Sequence, residues 1–215
     1  METIDSESRQ EKQQKQIQRY YRLQSPIYDA TRWTFLFGRG SLLRQAARAN
    51  PDARTITEFG CGTGTNLLRL AKLFPEATLI GLDLSVDMLR IARARTARVG
   101  SRLQLHQAMD FENLKHGQDL IVFSYCLSMM NPGWQSTISR AMKVLNPGGL
   151  LAVVDFDATP VAVYRRFMAA NHVTLSGEIL PHLQTIAKPL WVVTHRAYFG
   201  CWTYLLYLGR KGNSE

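Results

Sequence analysis

Glu58-Phe59-Gly60-Cys61-Gly62-Thr63-Gly64 is the stretch whose residue types and spacing suit a ligand. Three glycines at alternate positions, directly after an apolar run, let the backbone approach a bound molecule with no Cβ in the way. Thr65 stands where a G-x-G-x-x-G dinucleotide fingerprint needs its third glycine, so that glycine comes one residue early. No Lys-Ser or Lys-Thr pair follows the turn, which removes the P-loop reading. Asp83 closes the next apolar run, 19 positions after Gly64. A carboxylate there can accept both hydroxyls of a ribose, while the glycine turn has no pyrophosphate to hold. Together they predict an adenosine ligand without a diphosphate. The five histidines, His106, His116, His172, His182 and His195, show no metal-ligand spacing, and there is no Cys-x-x-Cys pair. No metal is expected. Cys61 and Cys126 read as small packing residues rather than nucleophiles.

These residues need a sheet to position them. Residues 55–59 read as a short strand running into the glycine turn. Leu67, Leu68, Leu70, Ala71 and Leu73 mark a helix over 66–73 that packs on a sheet. Residues 77–82 form a second apolar strand that ends in Asp83. Ser85 caps a helix to about Arg98, with Met88, Leu89, Ile91 and Ala92 on one side. Strands follow at 103–107 and 120–123, then a helix at 135–145. Asn146-Pro147-Gly148-Gly149 is a strong turn before a strand at 150–155. Strands alternating with helices mean a parallel sheet covered on both faces. Ligands of such sheets bind outside the carboxyl ends of the strands, at the switch point. Residues 191–199 and 203–208 flank Gly200-Cys201-Trp202 and read as an antiparallel hairpin. Residues 160–190 are expected to be helix and loop.

The E-x-G-x-G-x-G run, with an acid ending the second strand, resembles the class I S-adenosylmethionine-dependent methyltransferases over residues 55–210. The resemblance implies a Rossmann-like α/β fold. Its seven-stranded sheet is mostly parallel with an antiparallel last strand, has helices on both faces, and here follows an N-terminal helical extension. It implies S-adenosyl-L-methionine as cofactor and S-adenosyl-L-homocysteine as product. Carried over, Gly60, Cys61, Gly62 and Gly64 flank the methionine part of the cofactor, and Glu58 acts near its amino group or orients the loop. Asp83, with Leu84 beside it, holds the ribose, and Met88 packs on the adenine. The positions that meet the adenine edge read Ala108-Met109, with Asp110 one place late. Either Asp110 or backbone groups then reach the exocyclic amine. Ser124, Tyr125 and Cys126 follow the fourth strand and line the methyl-transfer site.

A narrower resemblance lies upstream. The string from Tyr20 and Tyr21 through Arg22, Tyr28, Asp29 and Arg32, then Phe35, Phe37 and Arg39, is similar to the N-terminal segment of the betaine-lipid N-methyltransferases. Those enzymes trimethylate the amine of diacylglyceryl-homoserine and resemble bacterial phospholipid N-methyltransferases. The resemblance implies an amine acceptor, whose proton leaves to water or through Tyr28 or Tyr125. The tyrosine faces attract the cationic nitrogen by ~0.5–2 kcal/mol. Arg32 pairs with a carboxylate of cofactor or substrate, or with Asp29. Tyr20, Tyr21, Arg22, Trp33, Phe35, Phe37 and Arg39 are then the substrate or membrane contacts.

Charge supports that placement. The chain of 215 residues carries a formal charge of +9. Arg9, Lys12, Lys15, Arg19, Arg22, Arg32, Arg39, Arg44 and Arg48, against Glu11 and Asp29, put +7 of it into residues 9–48. Ile17, Tyr20 and Tyr21 give that segment a short amphipathic stripe, and basic amphipathic helices bind anionic lipid surfaces. Ser41 is expected to cap a helix running to Ala49. The chain thus divides into a basic helical segment, 1–54, that docks on a membrane and covers the site, and a methyltransferase domain, 55–215. No run approaches the ~18 consecutive apolar residues of a membrane span. No secretory signal is visible, and three scattered cysteines fit a reducing cytosol. The expectation is a cytoplasmic enzyme, peripheral at the inner membrane surface, that methylates a lipid-headgroup amine. Its rivals are a phosphatidylethanolamine or soluble small-molecule methyltransferase, an RNA methyltransferase and a non-catalytic cofactor-binding module. Nucleic acid is the less expected partner, because the sequence lacks an Asn/Asp-Pro-Pro-Tyr motif and a Pro-Cys pair; Arg90, Arg93, Arg95, Arg98 and Arg102 read as a solvated helix face.

Overall fold

The computed structural model describes residues 35–107, 114 and 117–212. Seven strands form one sheet: β1 (Thr55–Phe59), β2 (Thr78–Asp83), β3 (Leu103–Gln107), β4 (Gln118–Ser124), β5 (Leu145–Phe156), β6 (Lys188–Ala197) and β7 (Trp202–Arg210). Their spatial order is β3-β2-β1-β4-β5-β7-β6. β1 to β5 pair in parallel, and β7 runs antiparallel to both β5 and β6. The order reverses between β1 and β4, so the switch point lies at their carboxyl ends.

Among the described residues, six helices cover the sheet: α1 (Arg39–Ala49), α2 (Thr65–Leu73), α3 (Val86–Thr96), α4 (Trp134–Val144), α5 (Ala162–Ala170) and α6 (Ile179–Ile186). The period-2 alternation of each strand splits the core in two. Leu120 and Val122 of β4, Leu150, Ala152 and Val154 of β5, and Leu206 and Leu208 of β7 face one layer with Leu42, Leu43, Leu67 and Leu70. Ile121, Phe123, Leu151, Val153, Leu205 and Tyr207 face the other, with Trp134, Ile138 and Leu183. A sheet buried on both faces needs the near-continuous apolar runs that these strands show.

Two local expectations change. The helix expected behind Ser41 begins at Arg39, behind Gly38, whose φ is 77°. A Cβ on Gly38 would lie 2.7 Å from Leu206 Cδ2, so the chain turns into α1 in a space only glycine fits. Asn146-Pro147-Gly148-Gly149 is an irregularity inside β5 rather than a turn before it. Gln118 pairs with Leu145 and Leu120 with Leu150.

The expected boundary at residue 54 also runs through packed structure. Leu42, Leu43 and Ala46 of α1 are fully buried against α2, β5 and β7. The described part of the basic segment is a core helix, with Arg44 and Arg48 on its exposed face.

Candidate functional site

The glycine turn leaves β1 at Phe59 and enters α2 at Thr65. Gly60, Gly62 and Gly64 all have positive φ, at 65°, 53° and 79°. Side chains disfavour that conformation by ~1–2 kcal/mol per residue. Cys61 N donates to Leu82 O at 3.0 Å, and Gly64 N to Cys61 O at 3.0 Å, so the turn is closed on itself and tied to β2. A Cβ on Gly62 would meet nothing within 4 Å. The turn therefore presents bare backbone to open space beside the switch point.

Asp83, at the end of β2, faces this turn. Its Oδ2 accepts from Gly62 N at 2.8 Å and its Oδ1 from Ser85 N at 2.9 Å. Burial raises its pKa, and these backbone donors, with that of Leu84, pull it back. Each carboxylate oxygen keeps a lone pair for a further donor. Met88 is buried one turn into α3, held by the Ser85 cap at 3.3 Å. Leu84 is half-buried between them, and its carbonyl accepts from Gln107 at 3.2 Å.

Glu58 is buried at the end of β1. Its Oε1 accepts from Asn66 Nδ2 at 2.8 Å, and its Oε2 has no partner. Burial pushes its pKa up to about 8, against the pull of the Asn66 amide and of the nearby Arg39 charge. The carboxyl is thus buried and only half satisfied beside the glycine turn. Cys61 and Cys126 are also buried, and desolvation raises both thiols, so neither is poised as a nucleophile.

The loop after β4 forms the other wall. Ser124 is half-buried at the strand end, and Tyr125 takes a φ of 56°. The Tyr125 hydroxyl donates to Phe37 O at 2.9 Å, across 88 positions. Burial, reinforced by the Asp155 charge, raises its pKa. Its surroundings make it a strap for the incoming chain more than a proton acceptor. Asp155, fully buried at the end of β5, fixes the rest of this loop. Its Oδ2 accepts from Leu127 N at 2.8 Å and Ser128 N at 3.2 Å, and its Oδ1 from Phe156 N at 2.8 Å. Burial moves its pKa up to about 6.

Three residues expected at the substrate or membrane have partners within the protein. The Phe37 ring packs among Tyr198, Trp202 and Tyr204, at centroid distances of 6.0, 6.1 and 5.9 Å. Phe35 meets Tyr198 at 6.2 Å. Arg39 donates to Leu36 O at 3.2 Å, and its charge acts on Glu58. Tyr20, Tyr21, Arg22, Tyr28, Arg32, Trp33, Ala108, Met109 and Asp110 lie outside the described residues.

The structure adds three residues to the site. Asn66 orients Glu58, and Asp155 sets the loop after β4. Arg95, counted with a solvated face, donates to Thr63 Oγ1 at 2.7 Å and Thr65 Oγ1 at 2.9 Å, bracing the glycine turn. Asp155 had a signal: like Asp83, it ends an apolar run. Asn66 and Arg95 had none, because their partners are fixed only by folding. Among the described residues, no cluster of three metal-ligating side chains occurs, and no helix is long and apolar enough to cross a membrane.

With this geometry in place, comparisons fix the fold. Residues 56–149 match the family model described as a methyltransferase domain. A trans-aconitate 2-methyltransferase of Deinococcus radiodurans is 36% identical over 98 residues, covering 46% of this chain and 36% of that protein. The chain spans less than half the length of the curated relatives it matches. The N-methyltransferase NodS of Bradyrhizobium japonicum, solved with S-adenosyl-L-homocysteine, superposes with a TM-score of 0.66 at 22% identity, covering 80% of this chain and 85% of that one. An N-methyltransferase of Haemonchus contortus, solved with phosphomonomethylethanolamine and S-adenosylhomocysteine, gives 0.73 at 14% identity, covering 92% and 60%. The fold is the Rossmann-like fold of the class I S-adenosylmethionine-dependent methyltransferases.

Proposed function

We propose that this class I methyltransferase fold binds S-adenosyl-L-methionine and transfers its methyl group to the amine of a lipid headgroup, diacylglyceryl-homoserine being the preferred acceptor. The observation that carries the cofactor reading is the pairing of Asp83 with the bare backbone at Gly62. The residues fit the cofactor. Asp83 has lone pairs directed at a ribose, open space adjoins Gly62, and the unpartnered Glu58 oxygen suits the cationic methionine end. When bound, S-adenosylmethionine supplies an electrophilic methyl on a sulfonium.

The chain's own residues position and enclose. Asp83 and the glycine turn fix the nucleoside end, and Glu58 offsets positive charge at the other end. Met88 contributes an apolar wall. Asp155 fixes the loop through Leu127 and Ser128, so the acceptor side has a set shape for in-line displacement. An amine attacks through its lone pair, so no strong protein base is required. That agrees with Tyr125 being engaged by the Phe37 carbonyl.

The lipid acceptor is supported by the betaine-lipid resemblance of residues 20–39 and by the charge gathered in 9–48. A second reading, methylation of a carboxylate on a small polyacid, is favoured by the trans-aconitate 2-methyltransferases among the sequence relatives. The test supplies methyl-labelled S-adenosylmethionine with diacylglyceryl-homoserine, phosphatidylethanolamine or trans-aconitate, followed by phase separation. Label in the organic phase with diacylglyceryl-homoserine supports the lipid reading. Label only with trans-aconitate replaces it. Failure to bind the cofactor by calorimetry overturns the whole proposal.

A further inference from the structure

We infer that the rim formed by α5 and the β6–β7 turn is a docking surface for an anionic phospholipid bilayer. β6 runs parallel to β5, so this turn lies at the same end of the sheet as the site. Four features of the rim point to a bilayer.

The first is exposure. Phe199, at the tip of the turn, is 113% exposed relative to its reference state, and on α5 Val163 is 77% and Phe167 56% exposed. Val163, Phe167 and Ala170 share a helix face by their i, i+4, i+7 spacing, and Met168 is the buried residue of this helix. The helix thus turns most of its apolar surface outward.

The second is strain. Tyr198 and Phe199 have φ of 47° and 59°. Asn or Gly adopts that backbone at least cost, so an aromatic there is held at the tip against local preference.

The third is continuity. Trp202 stacks on Tyr164 at 6.3 Å, Tyr164 meets Phe167 at 6.2 Å, and Trp202 meets Tyr198 at 6.4 Å. The Thr159 hydroxyl donates to Cys201 O at 2.6 Å, tying the chain before α5 to the turn. Both elements therefore belong to one rigid rim.

The fourth is charge. Arg165, Arg166 and Arg196 are the cationic side chains of this rim, with Asp157 and Glu178 the acids beside it, while Lys188, Arg210 and Lys211 sit at the far end of the β6–β7 pair. Arg165 and Arg166 flank Phe167 on α5, and Arg196 lies three residues before Phe199. Aromatics and arginine also mark protein interfaces, and the bilayer is favoured here by the way the rings protrude singly rather than as one flat patch. They suit a soft surface that admits apolar tips and attracts cations at headgroup level.

This surface gives the lipid-acceptor reading its geometry and rests on that reading for its purpose. Its test needs no turnover. The full chain is floated with vesicles of phosphatidylcholine alone or mixed with phosphatidylglycerol. The probe variant combines Phe167→Gln, which keeps helix propensity, with Phe199→Asn, which relieves the left-handed backbone. A second variant, Arg166→Gln with Arg196→Gln, removes charge and leaves the Arg165–Thr159 hydrogen bond in place.

The wild-type chain is expected to bind the mixed vesicles. The phenylalanine variant should lose about tenfold in partitioning, and the arginine variant should lose its preference for phosphatidylglycerol. Calorimetric cofactor affinity should match wild type in both, and neither variant should melt below wild type. Wild-type chain that stays off the vesicles overturns the surface, as does a phenylalanine variant that binds undiminished. A wild-type dimer that becomes monomeric in the phenylalanine variant also overturns it, because the rim is then an interface between copies. Each of these results leaves the cofactor reading standing, since that reading is judged by calorimetry alone.

Discussion

Glu58→Gln should make the ligand-free protein more stable, and increasingly so as pH rises. Glu58 is fully buried, and its pKa is raised from 4.5 to about 8 by desolvation. A carboxyl raised on folding costs nothing below its ordinary value. The cost grows through the window from 4.5 to about 8 and is constant above it. At 1.36 kcal/mol per pH unit this is ~1 kcal/mol at about pH 5 and ~3 kcal/mol at about pH 7. Glutamine has the same shape, does not ionise, and can still accept from Asn66. The gap between variant and wild type should therefore widen by ~2–3 kcal/mol from about pH 5 to about pH 7. For a domain of this length that corresponds to roughly 4–12 °C in melting temperature. Asp83 and Asp155 titrate in both proteins and cancel in the difference. Urea denaturation at the two pH values reads the effect. A gap of equal size at both pH values refutes the assignment of a strained, buried acid to Glu58. The same variant should bind S-adenosylmethionine more weakly, since glutamine cannot ionise beside a cationic ligand.

Asp83→Asn turns an amide NH₂ toward Gly62 N–H or Ser85 N–H, leaving a buried donor opposed. Cofactor affinity should fall by ~1–3 kcal/mol, and an unchanged calorimetric Kd would remove Asp83 from the site. Gly62→Ala meets no protein atom yet must adopt a φ of 53°. Stability should drop by ~1–2 kcal/mol in denaturant titration. Its methyl also enters the cofactor's space, so affinity must fall further than that strain explains. Tyr125→Phe deletes the bond to the Phe37 carbonyl and should cost ~1 kcal/mol of stability with turnover little changed. A turnover loss of about 10²-fold or more, the size of general acid–base catalysis, would return the hydroxyl to the chemistry.

The sequence by itself determined the sheet and the cofactor cradle. The strand runs, the glycine turn, the Ser85 cap and Asp83 at the end of β2 were all readable because each is specified by neighbours within a few residues. Periodicity of 2 and 3.6, a turn that only glycine accommodates and a cap three residues from its amide are local facts. The sequence misled where local composition pointed outward. Arginines around Leu42, Leu43 and Ala46 made α1 look like part of a basic docking segment, yet that stripe is buried against β5 and β7. Phe35 and Phe37 looked like membrane contacts, yet Tyr198, Trp202 and Tyr204 surround the Phe37 ring, and Phe35 packs beside Tyr198. Those partners lie more than 160 positions away in the chain. Only the tertiary structure could also decide that the Tyr125 hydroxyl is tied to Phe37, that Arg95 braces the glycine turn, or that Asp155 holds the loop after β4. Burial and pairing depend on which surfaces the sheet order brings together, and no single segment encodes that order.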